Sequence, residues 1–233
     1  MKNIIFIAPP AAGKGTVSMK VCDKYNIPHI STGDLLRDEI ANATKLGIQI
    51  KESMALGKFV SDEVITKLLK KRLSSKDCRK GYVLDGYPRN ISQAKIYDDL
   101  LKELSYDMGM VIFLDIDKEV ALTRAMSRIV CPKCGLSYNL SVKELSPARE
   151  GICDSCNSNL KVRSDDTKET FIDRFDTYMK ETYPLIDYYE KKDNLIKIDV
   201  NTRTAEEVFA ETDKRIKLEE TKSLARKRIL WLV

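Results

Sequence analysis

Short apolar runs recur between longer amphipathic stretches, and this alternation limits the fold more than any other feature of the chain. Runs at 4–8, 29–31, 82–85, 110–115 and 195–199 read as strands. Helical spacing fills the intervals at 15–25, 34–43, 62–74, 91–104, 118–129, 168–189 and 205–218. Strands separated by helices cannot pair as hairpins, so they call for a parallel sheet of about five strands with helices on both faces. One segment breaks the pattern. Residues from Cys131 to Lys161 are rich in Cys, Ser, Asn, Pro and Gly with little helical period, and they read as an insert. Asp166 stands three residues before Glu169 in capping-box spacing, and Asp117 precedes a helical run as an N-cap.

The chain's 233 residues suffice for one sizeable core and a small insert. No apolar run reaches membrane-spanning length, and the N-terminus leads directly into strand-like sequence. The expectation is a cytoplasmic protein that does not bind membranes. A net charge of +5 suits a phosphate-handling protein and does not by itself indicate nucleic acid.

The first strand runs into Ala8-Pro9-Pro10-Ala11-Ala12-Gly13-Lys14-Gly15-Thr16, which approaches the phosphate-loop pattern G-x-x-x-x-G-K-[ST] but departs from it twice. Ala8 replaces the first glycine, and Gly15 follows the lysine. In such a loop, backbone N–H groups and a helix N-terminus converge on an anion while the lysine adds a point charge. Gly13 and Gly15 keep their conformational freedom. If Ala8 or Ala11 must be left-handed, alanine costs roughly 1–2 kcal/mol there, which is expected to weaken nucleotide binding by about an order of magnitude without abolishing it.

Ser31-Thr32-Gly33-Asp34-Leu35-Leu36-Arg37 follows the second strand, and Asp85-Gly86-Tyr87-Pro88-Arg89 follows the third. Both lie at carboxyl ends of strands, where open α/β sheets bind ligands. Asp85 is placed as an acidic partner of Mg²⁺ through the ion's water shell. His29, inside a short apolar strand, reads as a packed residue.

Cys131, Cys134, Cys153 and Cys156 form C-x₂-C-x₁₈-C-x₂-C, a strong zinc spacing. Two tight turns supply two thiolates each and close a tetrahedron, so the Zn²⁺ is structural. Cys22 and Cys78 stand alone and read as surface residues without a role.

In their order and spacing, APPAAGKGT, STGDLLR and DGYPRNISQA resemble the signature segments of the adenylate kinase family. The resemblance runs from residue 1 to about 218. It makes Gly15 normal and leaves Ala8 and Ala11 as the departures. It implies a P-loop NTPase-type α/β fold that transfers phosphate reversibly from Mg·ATP to AMP, giving two ADP. The core would be 1–30, 61–128 and 163–218, with a helical AMP-binding segment at 31–60, a small zinc-ribbon-like lid at 129–162 and a tail at 219–233.

The resemblance further implies ATP contacts from Ala11, Ala12, Gly13, Lys14, Gly15, Thr16, Arg124, Arg128, Ser137, Tyr138 and Arg203. AMP would be held by Thr32, Arg37, the Lys58, Phe59 and Val60 backbone, Gly86, Tyr87, Pro88, Arg89 and Gln93. Arg163 and Arg174 would join Arg124 and Arg128 on the phosphates. Arg124 and Arg128, four residues apart in one helical run, would share a face. Asp165 and Asp166 would orient arginines, meet the Mg²⁺ water shell or cap a helix. Catalysis then rests on Lys14, Asp85, Arg89 and these four arginines, without a general base. The expected protein is a monomer whose partners are ATP, AMP and ADP.

Two other readings stay open on the residues. Asn90 after Arg89 hints at a UMP/CMP kinase, whereas Gln93 suits adenine. A zinc-ribbon nucleic-acid-binding protein with a decayed loop is the more distant alternative, although Tyr138 is the insert's only aromatic. The basic, apolar tail reads as a packed or frayed terminus.

Overall fold

The computed structural model describes residues 3–55, 60–162 and 166–230, with side chains over the same ranges except 52–55 and 223–230. Five strands form one sheet: β1 (Ile4–Ile7), β2 (His29–Ser31), β3 (Val83–Asp85), β4 (Met110–Asp115) and β7 (Leu195–Asp199). Their order is β2-β3-β1-β4-β7, and every pairing is parallel. The architecture is the expected α/β class.

Alternation along the strands sorts the core into two layers. Ile4, Phe6, Ile112 and Leu114 pack against α1 (Lys14–Tyr25), α6 (Lys118–Met126), α7 (Lys168–Thr177) and α9 (Ala205–Leu230). Ile5, Ile7, Val111 and Phe113 face α4 (Asp62–Leu73), α5 (Ile91–Leu104) and α8 (Leu185–Glu190). Both sheet faces are therefore dry, as a parallel sheet needs. Two polar groups are admitted because they satisfy each other: the Tyr82 and Tyr97 hydroxyls lie 2.6 Å apart.

Several expected elements change. The helix expected at 118–129 stops at Met126, where Ser127 Oγ donates to Thr123 O at 2.9 Å. Arg128 then begins β5 (Arg128–Val130), which pairs antiparallel with β6 (Ser137–Asn139). Arg124 and Arg128 thus do not share a helical face. The helix expected at 168–189 is broken by a π-helical turn, Tyr178–Thr182, and by Pro184, which has no N–H to continue the ladder.

Asp166 caps nothing; Thr167 is the N-cap of α7 and accepts from Thr170 N at 3.2 Å. Asp117 occupies the N-cap position of α6 without a side-chain cap bond, and its N–H donates to Asn201 Oδ1 at 2.8 Å. Cys22 and Cys78 are buried rather than on the surface, and burial pushes the Cys78 thiol up to about 11. The helix over 205–218 continues to Leu230, so the first part of the expected tail extends α9.

Two helices occupy the stretch after β2, in a segment expected to be helical: α2 (Thr32–Ala41), whose period was read in the sequence, and α3 (Lys45–Ala55), whose period was not. Gly47 and the Ile-Gln-Ile alternation obscure the helical period of α3. The glycine is required by close packing, because a carbon built on Gly47 lies 1.9 Å from the Glu39 carbonyl oxygen. Gly47→Ala is therefore expected to force α3 away from α2 and cost at least about 2 kcal/mol, measured by urea denaturation. A change under about 0.5 kcal/mol would show that the two helices do not pack this closely.

Candidate functional site

The loops after β1, β2 and β3 meet at the carboxyl edge of the sheet. Gly13, with φ 84°, is the N-cap of α1 and has no side chain to occupy the first amides of the helix. Gly15 and Thr16 are exposed beside them, and Ala12 is buried underneath. A helix N-terminus left open in this way suits an anion.

Lys14 folds back from this turn and places Nζ 2.6 Å from Asp85 Oδ1 at the end of β3. On the other side, His29 Nε2 lies 3.2 Å from Asp85 Oδ2 and 3.3 Å from Ser18 Oγ. His29 therefore does more than pack. Burial opposes ionisation of Asp85, but the His29 hydrogen bond and the Lys14 charge outweigh it and hold the carboxyl at about 2.

Gly86 marks where the expected groups converge. A carbon built on it would sit 3.6 Å from Arg89 Nη2, 3.8 Å from Thr32 Oγ1 and 4.0 Å from Lys14 Nζ. Thr32 Oγ1 donates to Gly86 O at 3.3 Å, and Arg89 Nε donates to the same oxygen at 2.9 Å. Arg37 is exposed and paired with Asp34. Tyr87 and Pro88 are buried and form the floor of this loop rather than its rim. Gln93 is buried on the first turn of α5, whose N-cap is Asn90, so Asn90 has a structural function of its own. Val60 is half-buried; Lys58 and Phe59 lie outside the described residues.

On the opposite side of the phosphate loop, Arg124 Nη2 donates to Val200 O at 2.8 Å and Asn201 O at 3.3 Å. Burial lowers its pKa. A cleft of about 420 Å³ runs from Arg124 and exposed Arg203 to Ser141–Glu144 of the insert. Arg128 grips Asp166 with two guanidinium nitrogens, one of them at 2.8 Å, which is the arginine-orienting alternative for that carboxylate. Arg174 stands on the exposed side of α7; Arg163 and Asp165 lie outside the described residues. Ser137 is exposed, whereas Tyr138 is packed inside the insert with Ile129, Cys131 and Cys153, so its ring does not face the cleft.

The four insert cysteines close on one point. All four sulfurs lie within 4.8 Å of one another, with Cys131 to Cys156 at 3.4 Å and Cys134 to Cys153 at 3.5 Å. Tetrahedral thiolates around zinc at about 2.3 Å have sulfurs roughly 3.8 Å apart, so the cluster fits that ion.

A sequence model of the adenylate kinase family matches residues 6–194. A protein named adenylate kinase from Clostridium tetani is 44% identical over 207 residues, covering 89% of this chain and 94% of that protein. One from Caldanaerobacter subterraneus subsp. tengcongensis is 43% identical over 214 residues, 92% of this chain and 96% of its own. Another from Thermosipho africanus is 40% identical over 197 residues, with coverage of 84% and 91%. The chain belongs to the adenylate kinase family.

For an adenylate kinase with two loop alanines, the backbone separates the two positions. Ala11 has φ 62°, in the left-handed region, whereas Ala8 is not among the residues with positive φ. The left-handed angle at Ala11 belongs to the folded loop's own backbone, so its strain bears on folding more than on ATP affinity. Ala11→Gly is expected to stabilise the fold by about 0.5–1 kcal/mol with little change in the KM for ATP, while Ala8→Gly brings no gain. Thermal melts and ATP titrations check this; equal effects at both positions would contradict it.

Asp85 also predicts a pH response. Its pKa falls from 3.8 to about 2 on folding, so ionised Asp85 adds roughly 2 kcal/mol above pH 4. That contribution is lost as the pH drops from 4 towards 2. Asp85→Asn should flatten the acid limb of the stability curve in this window, measured by urea unfolding against pH. Curves parallel to wild type would rule out the assignment.

Proposed function

We propose that this adenylate kinase family member is an ATP:AMP phosphotransferase, catalysing reversible Mg²⁺-dependent transfer of the ATP γ-phosphoryl group directly to AMP to give two ADP. The observation that carries this reading is the gathering of Lys14, Thr32 and Arg89 around Gly86, beside the open first turn of α1. The relatives named adenylate kinase favour AMP over UMP or CMP and favour an enzyme over a nucleic-acid-binding scaffold.

In this reading the backbone of 11–16 cradles the ATP phosphates and Lys14 leaves Asp85 partly to meet them. Thr32, Arg37, Gly86 and Arg89 hold AMP with Gln93, and Tyr87 and Pro88 support their loop from beneath. The backbone at 58–60 lines the adenine. Arg124 and Arg203 flank the ATP base, with Ser137 and the backbone of Tyr138 approaching from the lid at 129–162. Arg128, Arg163 and Arg174 reach the transferring phosphoryl group.

Two nucleotides bring about six negative charges near neutral pH, and the cations of this site offset them and follow the charge as it shifts. The attacking AMP oxygen is already anionic, so no general base is needed. Positioning in line and electrostatic stabilisation are the means of catalysis. Lid closure removes water that would otherwise accept the phosphoryl group. Asp85 would hold Mg²⁺ through its water shell, and the ion, when bound, neutralises phosphate charge. Cys131, Cys134, Cys153 and Cys156 would hold a structural Zn²⁺ that fills its coordination and leaves no open position. The protein works as a cytoplasmic monomer with ATP, AMP and ADP as partners, and without nucleic acid or membrane.

ADP formation from ATP with AMP, UMP, CMP or GMP tests the reading, with metal content measured alongside. AMP is expected to be the best acceptor, and one zinc per chain is expected. Stripping that zinc should lower the melting temperature and activity together. Faster turnover of UMP than AMP would overturn the substrate assignment.

A further inference from the structure

Gln93 is 6% exposed, and every polar group it carries is already directed. Its backbone N–H donates to Asn90 Oδ1 at 2.9 Å, and its carbonyl accepts from the Tyr87 hydroxyl at 3.3 Å. On the side chain, Nε2 donates to Asp62 Oδ1 at 2.7 Å while Oε1 accepts from Arg89 N at 2.8 Å.

These two side-chain partners are chemically one-sided. An ionised carboxylate only accepts, and a backbone N–H only donates. Together they fix which end of the amide is nitrogen and which is oxygen. Rotating the amide by half a turn would set Oε1 against the Asp62 carboxylate and Nε2 against the Arg89 N–H. Both ends of a buried group would then be mismatched, which is costly. One N–H and one oxygen lone pair remain on the amide for a ligand.

We propose that Asp62, the first residue of α4, is a specificity-positioning residue that locks the Gln93 amide in the orientation suited to a 6-aminopurine and not to a 6-oxopurine. The proposal rests on the reading of Gln93 as the residue facing the AMP base and extends it to a residue outside the signature segments. A 6-aminopurine presents an N1 acceptor beside an N6 donor, which the locked N–H and oxygen match. A 6-oxopurine presents an N1–H donor beside an O6 acceptor, so it meets a donor with a donor and an acceptor with an acceptor. Without Asp62, only the Arg89 N–H opposes rotation, and the amide can turn to suit either base. Discrimination of this kind depends on buried polar groups that the wrong substrate leaves unpaired.

The experiment compares wild type, Asp62→Ala and Asp62→Asn with AMP and with IMP as acceptors at saturating ATP, and varies ATP separately at saturating AMP. Asp62→Ala is expected to raise the KM for AMP about tenfold, to leave the KM for ATP within about twofold, and to lower the AMP-to-IMP ratio of kcat/KM at least tenfold. Asp62→Asn keeps an acceptor and should fall between Asp62→Ala and wild type, providing a reading even if the alanine variant folds poorly. A ratio unchanged within about twofold in both variants overturns the proposal. So does an equal loss towards AMP and ATP, which would mean that Asp62 only supports the fold. A wild-type protein unable to phosphorylate AMP overturns the underlying functional reading instead, so the two failures are distinct.

Discussion

An ionised carboxylate held mostly out of water is the interaction on which the site depends. Burial alone would raise the pKa of Asp85; the His29 hydrogen bond and the Lys14 charge outweigh it and hold the carboxyl low. These three residues come from α1, β2 and β3, so one charge cluster ties the phosphate loop to two neighbouring strands. Lys14 is consequently aimed along the strand ends. In the proposed function, an incoming phosphate would compete with Asp85 for a cation held at the strand ends. The ion pair would leave Lys14 little side-chain entropy to lose on such binding.

The sheet makes such a cluster possible. Parallel pairing sends every carboxyl end the same way, and helices on both faces keep the strands from shifting. Polar loops can then gather at one edge without weakening the core beneath them. Gly86 and Arg89 follow β3, Thr32 opens α2 after β2, and Gly13 opens α1 after β1. Their meeting is a consequence of strand order, since β1 lies directly beside β3, and β3 beside β2.

Much of this was legible in the residues because strand and helix periods are local. The bounds of β2, β4, β7 and α5 coincide with the expected ones. Where the reading failed, a local signal was outvoted or absent. The apolar period of 168–189 continues across Pro184, and the missing N–H there mattered more than the period. Gly47 weakened the signal of α3, yet contact with α2 demands it. The phosphate loop, the Gly86 loop and the cysteine spacing were visible because each is compact in sequence. His29 and Asp62 were not recognised as site residues because their partners lie 56 and 31 positions away. Asp62 resembled an ordinary acidic residue in a helix's first turn, and only its contact with Gln93 distinguishes it.

The insert poses the opposite problem: how so little apolar material holds a shape. Its buried cluster comprises Ile129, Tyr138, Cys131 and Cys153, with Cys156 and Leu160 packed alongside, so thiols make up much of it. Four thiols this close cannot all ionise without a counter-charge, because each thiolate raises the cost of the next. The Tyr138 hydroxyl donates to Cys153 Sγ at 3.5 Å and draws that thiol downward, and a hydrogen bond with Ser158 does the same for Cys156, while Cys134 is pushed up, so the four thiols do not ionise together. A divalent ion removes the restriction, since it turns mutual repulsion into shared attraction. Metal binding and folding of the insert would then be one event. The folded insert is joined to the core through hydrogen bonds from Asn139 Nδ2 to Arg124 O and from Leu140 N to Ser127 O. Arg124 is itself fastened to the carbonyls after β7. A metal held by these four cysteines would thus act at a distance on the cleft, by supplying the rigidity with which the insert meets the arginine at the cleft wall.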